Sequence, residues 1–108
     1  MRNGDGGKTK TLRMEKTKAV VFSLLAPHAT RVSVAGDFNG WDTKSHPMEK
    51  NKFEVWRRSV ALAPGYHEYR FVVDGAWQND PQNVESVPNP FGTLNNVKRV
   101  KYQGRVTD

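Results

Sequence analysis

The chain has 108 residues, which is enough for one domain with a buried core and too few for two domains. It contains no cysteine, so nothing supports a disulfide framework or a thiolate metal site. Neither a run of about 18 apolar residues nor a signal peptide is visible, and we therefore expect a cytoplasmic protein without a membrane partner.

The formal net charge of +6 is concentrated at the N-terminus. Residues 1–18 hold six basic and two acidic residues, which is +4 of this total, and almost no apolar side chains. We expect residues 1–17 to form a disordered basic tail, residues 18–104 the folded domain, and residues 105–108 a second short tail. Because the folded part is nearly neutral, we expect no nucleic-acid partner. Nucleic-acid binding through the tail is an alternative that salt dependence would test.

Three segments in the first part of the chain place apolar residues at alternate positions, as strands with one buried face do. They span residues 19–26, 31–35 and 53–62. The side chains expected to face the core are Val20, Phe22, Leu24 and Ala26, then Val32 and Val34, then Trp56, Val60 and Leu62. Arg58 shares the parity of Trp56, which predicts that the third strand is at a sheet edge or bulged there.

The stretch from Leu62 to Pro81 is the most informative part of the sequence. Tyr66 to Val73 is dense in aromatic and β-branched residues, which predicts a strand, and Asp74-Gly75 predicts a tight hairpin. Period-two alternation sends His67, Tyr69, Phe71 and Val73 to the core, and Tyr66, Glu68, Arg70, Val72 and Asp74 to the opposite face. Arg70 then lies close to Trp77, and a cation beside a flat ring suits ligands with hydroxyl groups and flat faces.

The C-terminal part predicts a Pro- and Asn-rich loop over residues 84–96 and a last strand over residues 97–102. Strands throughout the chain are short, with a turn signal about every ten residues, and no helical period is convincing. This pattern favours an all-β fold, and we predict a single-domain antiparallel β-sandwich.

Three motifs, taken in order, are similar to one known family. They are A-G-D-F-N-G-W-D over residues 35–42, P-G-Y-H-E-Y-R-F-V-V-D-G-A-W-Q-N-D-P over residues 64–81, and F-G-T-L-N-N-V over residues 91–97. Together they resemble carbohydrate-binding module family 48, which includes the glycogen-binding domain of the AMP-activated protein kinase beta subunit and the N-terminal early-set domain of isoamylase. The resemblance covers roughly residues 18–103. It implies an immunoglobulin-like (early-set) β-sandwich that holds α-1,4-glucan on one face.

The family's binding roles map onto six positions of this sequence. The resemblance implies Trp41 and Trp77 as stacking platforms, Arg70 as a hydroxyl donor at the family's lysine position, Asn95 as an amide contact, Phe91 in place of a leucine that enters the curved glucan, and Thr93 beside it. An arginine in place of lysine keeps the charge and the donors but changes their geometry. This departure bears on the strength of glucan binding.

Each of these residues also has an ordinary structural interpretation, which the sequence leaves open. Trp41 and Trp77 can be core residues, as tryptophans in small β domains usually are. Arg70 can be a solvated strand residue paired with an acidic neighbour, and Phe91 can pack against its own loop. Thr93 and Asn95 can be turn formers that precede the last strand.

A catalytic role has little support in the sequence. A glycosidase needs two carboxylates that flank a cleft, whereas the candidate acids stand beside Gly, Asn or Pro in turn positions. These candidates are Asp37, Asp42, Asp74 and Asp80. The three histidines are too scattered to predict a metal site. We therefore expect no enzyme activity, no metal and no cofactor.

The leading hypothesis is a non-catalytic module that binds α-1,4-glucan, such as glycogen, starch or maltooligosaccharides. The alternative is an early-set scaffold that docks on a separate glucan-metabolising enzyme or a kinase-like regulatory complex, with a weak or vestigial glucan face. A retardation gel that contains glycogen separates the two hypotheses, because only the first requires slower migration.

Overall fold

The computed structural model describes residues 16–102, which form eight β-strands and one short 3-10 turn. The strands are β1 (Lys18–Leu25), β2 (Val32–Gly36), β3 (Glu49–Lys50), β4 (Val55–Leu62), β5 (Gly65–Val73), β6 (Ala76–Gln78), β7 (Ser86–Pro88) and β8 (Leu94–Val100), and the turn is Asp37–Asn39. Apart from residues 16 and 17, the expected tails over 1–17 and 105–108 lie outside the described residues. Within residues 16–102, no helix is long and apolar enough to cross a membrane.

The strands form two antiparallel sheets of an immunoglobulin-like β-sandwich, which confirms the predicted fold class. One sheet has the order β1-β4-β3, and the other has the order β2-β5-β8-β7 with β6 also paired to β5. β2 runs along one edge of β5, while β8 and β6 share the opposite edge. β8 pairs with β5 as far as Tyr69, and β6 pairs with it from Phe71 onward. The partner strand therefore changes at Arg70.

The core contains the apolar side chains that the alternation predicted, whereas His67, which was assigned to the same face, is only partly buried and is not part of the cluster. The buried hydrophobic cluster comprises Phe22, Leu24, Val32, Val34, Met48, Trp56, Val60, Leu62, Tyr69, Phe71 and Val100, with Val20, Ala26 and Val73 packed against it. Trp56 is only 7% exposed, and its indole Nε1–H donates to the carbonyl of Ala26 over 2.9 Å. The assignment of Trp56 to the core is confirmed, and its one polar group is satisfied.

The hairpin at Asp74-Gly75 forms as predicted. Val73 pairs with Ala76, which leaves a two-residue loop, and both loop residues have positive φ, 49° and 87°. This is the backbone of a type I′ turn, whose twist matches that of the flanking strands. The Asp74 carboxylate also accepts hydrogen bonds from the backbone N–H groups of Thr30 and Arg31 at 2.9 and 2.8 Å. The turn is thereby tied to the segment that enters β2.

The sequence predicted either a sheet edge or a bulge at Arg58, and the structure shows the edge. β1 and β4 pair without interruption over the whole length of β4, so the expected bulge is wrong. β3 pairs with β4 only as far as Arg57, so Arg58 lies at an edge position, as the other interpretation expected. Its Nη1 donates to the carbonyl of Pro47 over 3.0 Å, which satisfies the charged group at the edge of the sheet.

The last strand begins earlier than predicted. β8 starts at Leu94 instead of Val97 and ends at Val100, and β7 lies within the segment expected to be a loop. Asn95 and Asn96 occupy buried positions of β8, so hydrophobic alternation does not mark the start of this strand. β3 and β7 were also missed, because strands of two and three residues are too short to show a period.

Candidate functional site

One face of the five-stranded sheet carries an open groove with a volume of about 740 Å³. The groove is lined by Trp41, Arg70, Trp77, Asn89, Pro90, Phe91, Thr93 and Asn95. The structure therefore brings together all six residues that the resemblance singled out, although they come from separate segments of the chain. Asn89 and Pro90 also line the groove, and the sequence reasoning missed them.

Trp41 reaches the groove from the loop that follows β2. Its backbone N–H donates to the carbonyl of Gly36 over 2.9 Å, and the Gly36 N–H donates to Asn39 Oδ1 over 3.1 Å. Gly40 and Trp41 both have positive φ, 66° and 61°. A bulky residue in the left-handed region is uncommon, and such strain costs on the order of 1–3 kcal/mol. The bent loop therefore presents the indole from a fixed backbone.

The approach of this loop to the sheet requires glycine at residue 36. A Cβ atom at Gly36 would clash with the carbonyl oxygen of Glu68 and with the ring of Phe38. The φ of Gly36 is −168°, which is ordinary extended backbone, so the requirement is one of space. Glycine lets the end of β2 lie close against β5 before the chain turns toward the groove.

His46 supports the same loop. Asn39 Nδ2 donates to the carbonyl of Val34 and to His46 Nδ1, at 3.3 and 2.9 Å. Because Nδ1 accepts this hydrogen bond, the proton of the neutral imidazole is on Nε2. Burial, and then the positive charge of Arg58, lowers the pKa of His46, while Asp42 opposes the shift. The neutral imidazole is the form that supports the loop.

Trp77 is presented by β6, opposite Val72 of β5. Its side chain is 44% exposed. The rings of Trp41 and Trp77 meet edge to face, with centroids 6.2 Å apart and planes inclined at 62°. The two indoles therefore form the two sides of one corner.

Arg70 lies beside this corner. Its Cζ is 5.8 Å from the centroid of the Trp77 ring. Its Nη1 donates to Thr93 Oγ1 and its Nη2 donates to Asn79 Oδ1. Each donor–acceptor distance is 3.4 Å, which is long for a hydrogen bond. Its Nε is buried and has no partner. The guanidinium is thus positioned by its neighbours but bonded only weakly to them.

The acidic neighbours of Arg70 are engaged elsewhere. Glu68 Oε1 accepts from Asn95 Nδ2 over 3.0 Å, and the Asp74 carboxylate accepts from backbone N–H groups. The interpretation of Arg70 as half of an ion pair is therefore wrong. Asn95 also accepts from Asn89 Nδ2 over 3.0 Å, which leaves one N–H and one lone pair of its amide for a ligand.

Asn89 organises the loop between β7 and β8. Its Oδ1 accepts from the backbone N–H groups of Phe91 and Thr93 at 2.9 and 3.1 Å. Its Nδ2 donates to Thr93 Oγ1 at 2.7 Å and to Asn95 Oδ1 at 3.0 Å. One side chain therefore fixes three residues of the groove. The available sequence signal was the P-N-P tripeptide, because asparagine commonly closes turns onto the following backbone.

Phe91 projects from this loop and is 88% exposed, so the interpretation that it packs its own loop is wrong. Thr93 is bonded within the loop through its backbone and its hydroxyl, as expected of a turn former, and it also lines the groove. Asn95 is only 7% exposed and belongs to β8, so it is a strand residue instead of a turn former.

A sequence model of one protein family matches most of the chain. The family is described as the glycogen recognition site of AMP-activated protein kinase, and the match covers residues 19–106. The chain belongs to this family. It is a carbohydrate-binding domain with the fold and motifs of the glycogen-recognition family.

Curated relatives of this glycogen-recognition domain are enzymes named 1,4-alpha-glucan branching enzyme GlgB. The relative from Prochlorococcus marinus (strain NATL2A) is 33% identical over 91 residues, which is 82% of this chain and 11% of the enzyme. That from Burkholderia pseudomallei (strain 668) is 41% identical over 71 residues, 62% of this chain and 10% of the enzyme. That from Deinococcus radiodurans is 37% identical over 81 residues, 75% of this chain and 11% of the enzyme. The chain spans about a tenth of the length of these relatives.

The acids considered for catalysis stabilise turns and loops of this glycogen-recognition domain. Asp37, Asp42, Asp74 and Asp80 each accept a hydrogen bond from a backbone N–H group. None of the four lines the groove. Within residues 16–102, no group of three or more His, Cys, Asp or Glu side chains is arranged to hold a metal ion.

Proposed function

We propose that the groove of this glycogen-recognition domain binds α-1,4-glucan without cleaving it. The observation that carries the proposal is the corner of Trp41 and Trp77, with centroids 6.2 Å apart, and the guanidinium of Arg70 beside it. The choice of an α-1,4-linked chain is supported by the family and by relatives named 1,4-alpha-glucan branching enzyme.

The chemistry of the groove matches the two surfaces of a glucose ring. A pyranose has a face of C–H groups and a rim of hydroxyl groups. An indole covers the apolar face, while guanidinium and amide groups bond to the rim. Arg70 and the free half of the Asn95 amide supply the polar contacts. The hydrogen bonds that Arg70 makes within the protein are long, so replacing them with ligand hydroxyls costs little.

The angle between the indoles favours a curved chain. Planes inclined at 62° offer stacking surfaces to two sugar rings that are themselves inclined. Rings along an α-1,4-linked chain turn progressively, whereas a β-1,4-linked chain is a flat ribbon. Phe91, at the rim of the groove and 88% exposed, adds an apolar surface that a bent chain can enclose.

The expected affinity is modest. Covering roughly 80 Å² of apolar surface per indole contributes about 2 kcal/mol at 25 cal/mol per Å². After the cost of ordering the ligand, two indoles and a few exposed hydrogen bonds correspond to a Kd of about ten micromolar to millimolar. Weak single sites suit a polymer that offers the same chain end or segment many times.

Binding without cleavage follows from the polar groups of the groove. Glycoside hydrolysis requires an acid and a second carboxylate on either side of the glycosidic bond. The lining residues instead supply indoles, a guanidinium, amides and a hydroxyl. These groups can orient a glucan, but they cannot donate a proton to a leaving oxygen and stabilise the resulting cation.

The test is a titration of maltoheptaose followed by tryptophan fluorescence. We expect a saturable change that is indifferent to salt, with no release of reducing sugar, and no change with cellohexaose. Trp77→Ala should shift the response to about tenfold higher maltoheptaose concentration or more. Phe53→Ala, which removes an aromatic residue that is 70% exposed and lies outside the groove, should leave it intact. A flat titration up to millimolar maltoheptaose contradicts the proposal and favours the docking scaffold.

A further inference from the structure

We propose that the carbohydrate-binding face extends beyond the groove to a second platform made by Tyr66 and Arg99, which contacts the same glucan chain. This inference rests on the proposed function of the groove. It adds a site at the N-terminal end of β5, which only long glucan chains reach in addition to the groove.

The two sites lie on the same face of one sheet. Tyr66 and Arg70 have the same parity in β5, and β5 pairs with β8 without a bulge. Arg99 of β8 lies directly opposite Tyr66 in this register, so its side chain is on that face as well. Asn95, which lines the groove, has the parity of Arg99 in β8. β5 and β8 therefore connect the groove to the second platform.

The second platform repeats the arrangement found in the groove. Arg99 Cζ lies 4.8 Å from the centroid of the Tyr66 ring, as Arg70 Cζ lies 5.8 Å from that of Trp77. Tyr66 is 67% exposed, which is more than Trp77 at 44%. Each site thus offers an exposed flat ring with a guanidinium beside it, the combination that suits a sugar face and its hydroxyl rim.

The guanidinium of Arg99 is held in place before any ligand arrives. Glu85 accepts from Arg99 Nε at 2.9 and 3.0 Å and from Nη2 at 2.7 Å. The backbone of Glu85 is itself fixed, because its carbonyl accepts from the Val97 N–H over 2.9 Å and its N–H donates to Asn83 Oδ1 over 3.0 Å. This arrangement leaves the donors of Arg99 Nη1 for a ligand and lowers the entropy lost on binding.

The separation of the sites determines which ligands reach both. Arg70 follows Tyr66 by four positions along the strand, which is about 13 Å at 3.3 Å per residue. Between them lies Glu68, which is partly exposed and bonded to Asn95. A short oligosaccharide held by Trp41 and Trp77 fills the groove alone. A long chain continues along β5 and gains the second platform.

The test compares maltotetraose with long-chain amylose on the same variants. Tyr66→Ala should weaken amylose binding about fivefold, as expected for one exposed stacking contact, and leave maltotetraose unchanged. Tyr66→Phe keeps the ring and should retain most of the affinity. Arg99→Gln should give an intermediate loss for amylose alone. Val84→Ala, at a residue 96% exposed and outside both sites, is the control.

The outcomes separate this inference from the function on which it rests. If the unaltered protein binds maltotetraose and amylose, but Tyr66→Ala changes neither affinity, the second platform does not exist. An equal loss for both ligands, with thermal unfolding unchanged, assigns Tyr66 to the groove and also overturns the inference. If the unaltered protein binds neither ligand, the proposed function fails first and the second platform fails with it.

Discussion

Asn95 and Asn96 are consecutive in β8, and their side chains serve opposite faces of the sheet. Asn96 is 2% exposed, and its Oδ1 accepts from Asn79 Nδ2 at 3.0 Å and from the Asp80 N–H at 2.7 Å. Its Nδ2 donates to the carbonyl of Asn83 over 2.8 Å. Asn96 therefore ties the segment after β6 to the sheet, while Asn95 faces the groove.

Exchange of these neighbours for alanine should separate stability from binding. Asn96→Ala removes three part-buried hydrogen bonds and leaves their partners unsatisfied, so the free energy of unfolding should fall by roughly 3 kcal/mol. Asn95→Ala should cost about 1 kcal/mol of stability and weaken glucan binding severalfold. Urea melts and maltoheptaose titrations on both variants decide the matter. Equal stability losses would contradict the division of roles.

Trp77 and Trp56 should also differ, one in binding and the other in stability. Trp77→Ala should weaken glucan binding by about tenfold or more and cost little stability, because its exposed ring leaves no enclosed cavity. Trp56→Ala should reduce the free energy of unfolding by about 3–5 kcal/mol, through a core cavity and an unpaired Ala26 carbonyl. Denaturant melts and titrations on each variant provide the check. Unfolding of Trp77→Ala at low urea would place its ring in the core.

The left-handed backbone at Trp41 predicts an unusual order of stabilities. Trp41→Ala and Trp41→Gly should lose glucan binding equally, since both remove one side of the corner. The glycine variant should be more stable than the alanine variant by about 1 kcal/mol, because glycine adopts positive φ without strain. Urea melts of the two variants test this. A more stable alanine variant would show that the backbone at this position is not strained.

Asn89 should act as a positioning residue, and Asn51 offers a matched control. Asn51 Oδ1 accepts from the N–H groups of Phe53 and Val55 at 2.9 and 3.1 Å, the same pattern that Asn89 forms with Phe91 and Thr93. Asn89→Ala and Asn51→Ala should each cost about 1–2 kcal/mol of stability. Only Asn89→Ala should weaken maltoheptaose binding, by several-fold. A parallel loss in Asn51→Ala would mean that general destabilisation causes the effect.

Stability should decrease as the pH falls through the ordinary pKa of histidine. Burial and Arg58 lower the pKa of His46 from its ordinary 6.5, so the unfolded chain takes up a proton more readily than the folded one. The contribution of neutral His46 to the free energy of unfolding is complete above pH 6.5. It is lost as the pH falls from 6.5 to the lower pKa of the folded state. Thermal melts at about pH 7.5 and about pH 5.5 should show a smaller decrease for His46→Gln than for the unaltered protein. An equal decrease excludes His46 as its source.

Side-chain periodicity was sufficient to predict the long strands. Alternation placed Phe22, Trp56 and Tyr69 correctly, since each lies in a strand with one buried face. It could not predict β3 or β7, whose pairing comes from main-chain hydrogen bonds, or the start of β8, where Asn95 and Asn96 are buried and polar.

The groove was harder to predict from residue patterns alone. Its six expected members came from motif resemblance, and the structure brings them together in one groove. The function of Asn89 depends on which donors a folded loop brings to its side chain. The corner between Trp41 and Trp77 depends on how the loop after β2 bends and on how β2 and β6 pair with β5. A linear sequence contains no period that reports either arrangement.

The walls of the groove are presented by the loop after β2, by β6 and by the segment leading into β8, and all three strands pair with β5. An occupant that contacts every wall therefore holds these pairings together and opposes their separation. Occupation at a hundredfold excess over Kd adds about 2.7 kcal/mol to the free energy of unfolding. Resistance to proteolysis would then rise and fall with the local concentration of polysaccharide, so a chain bound to its ligand would outlast a free one.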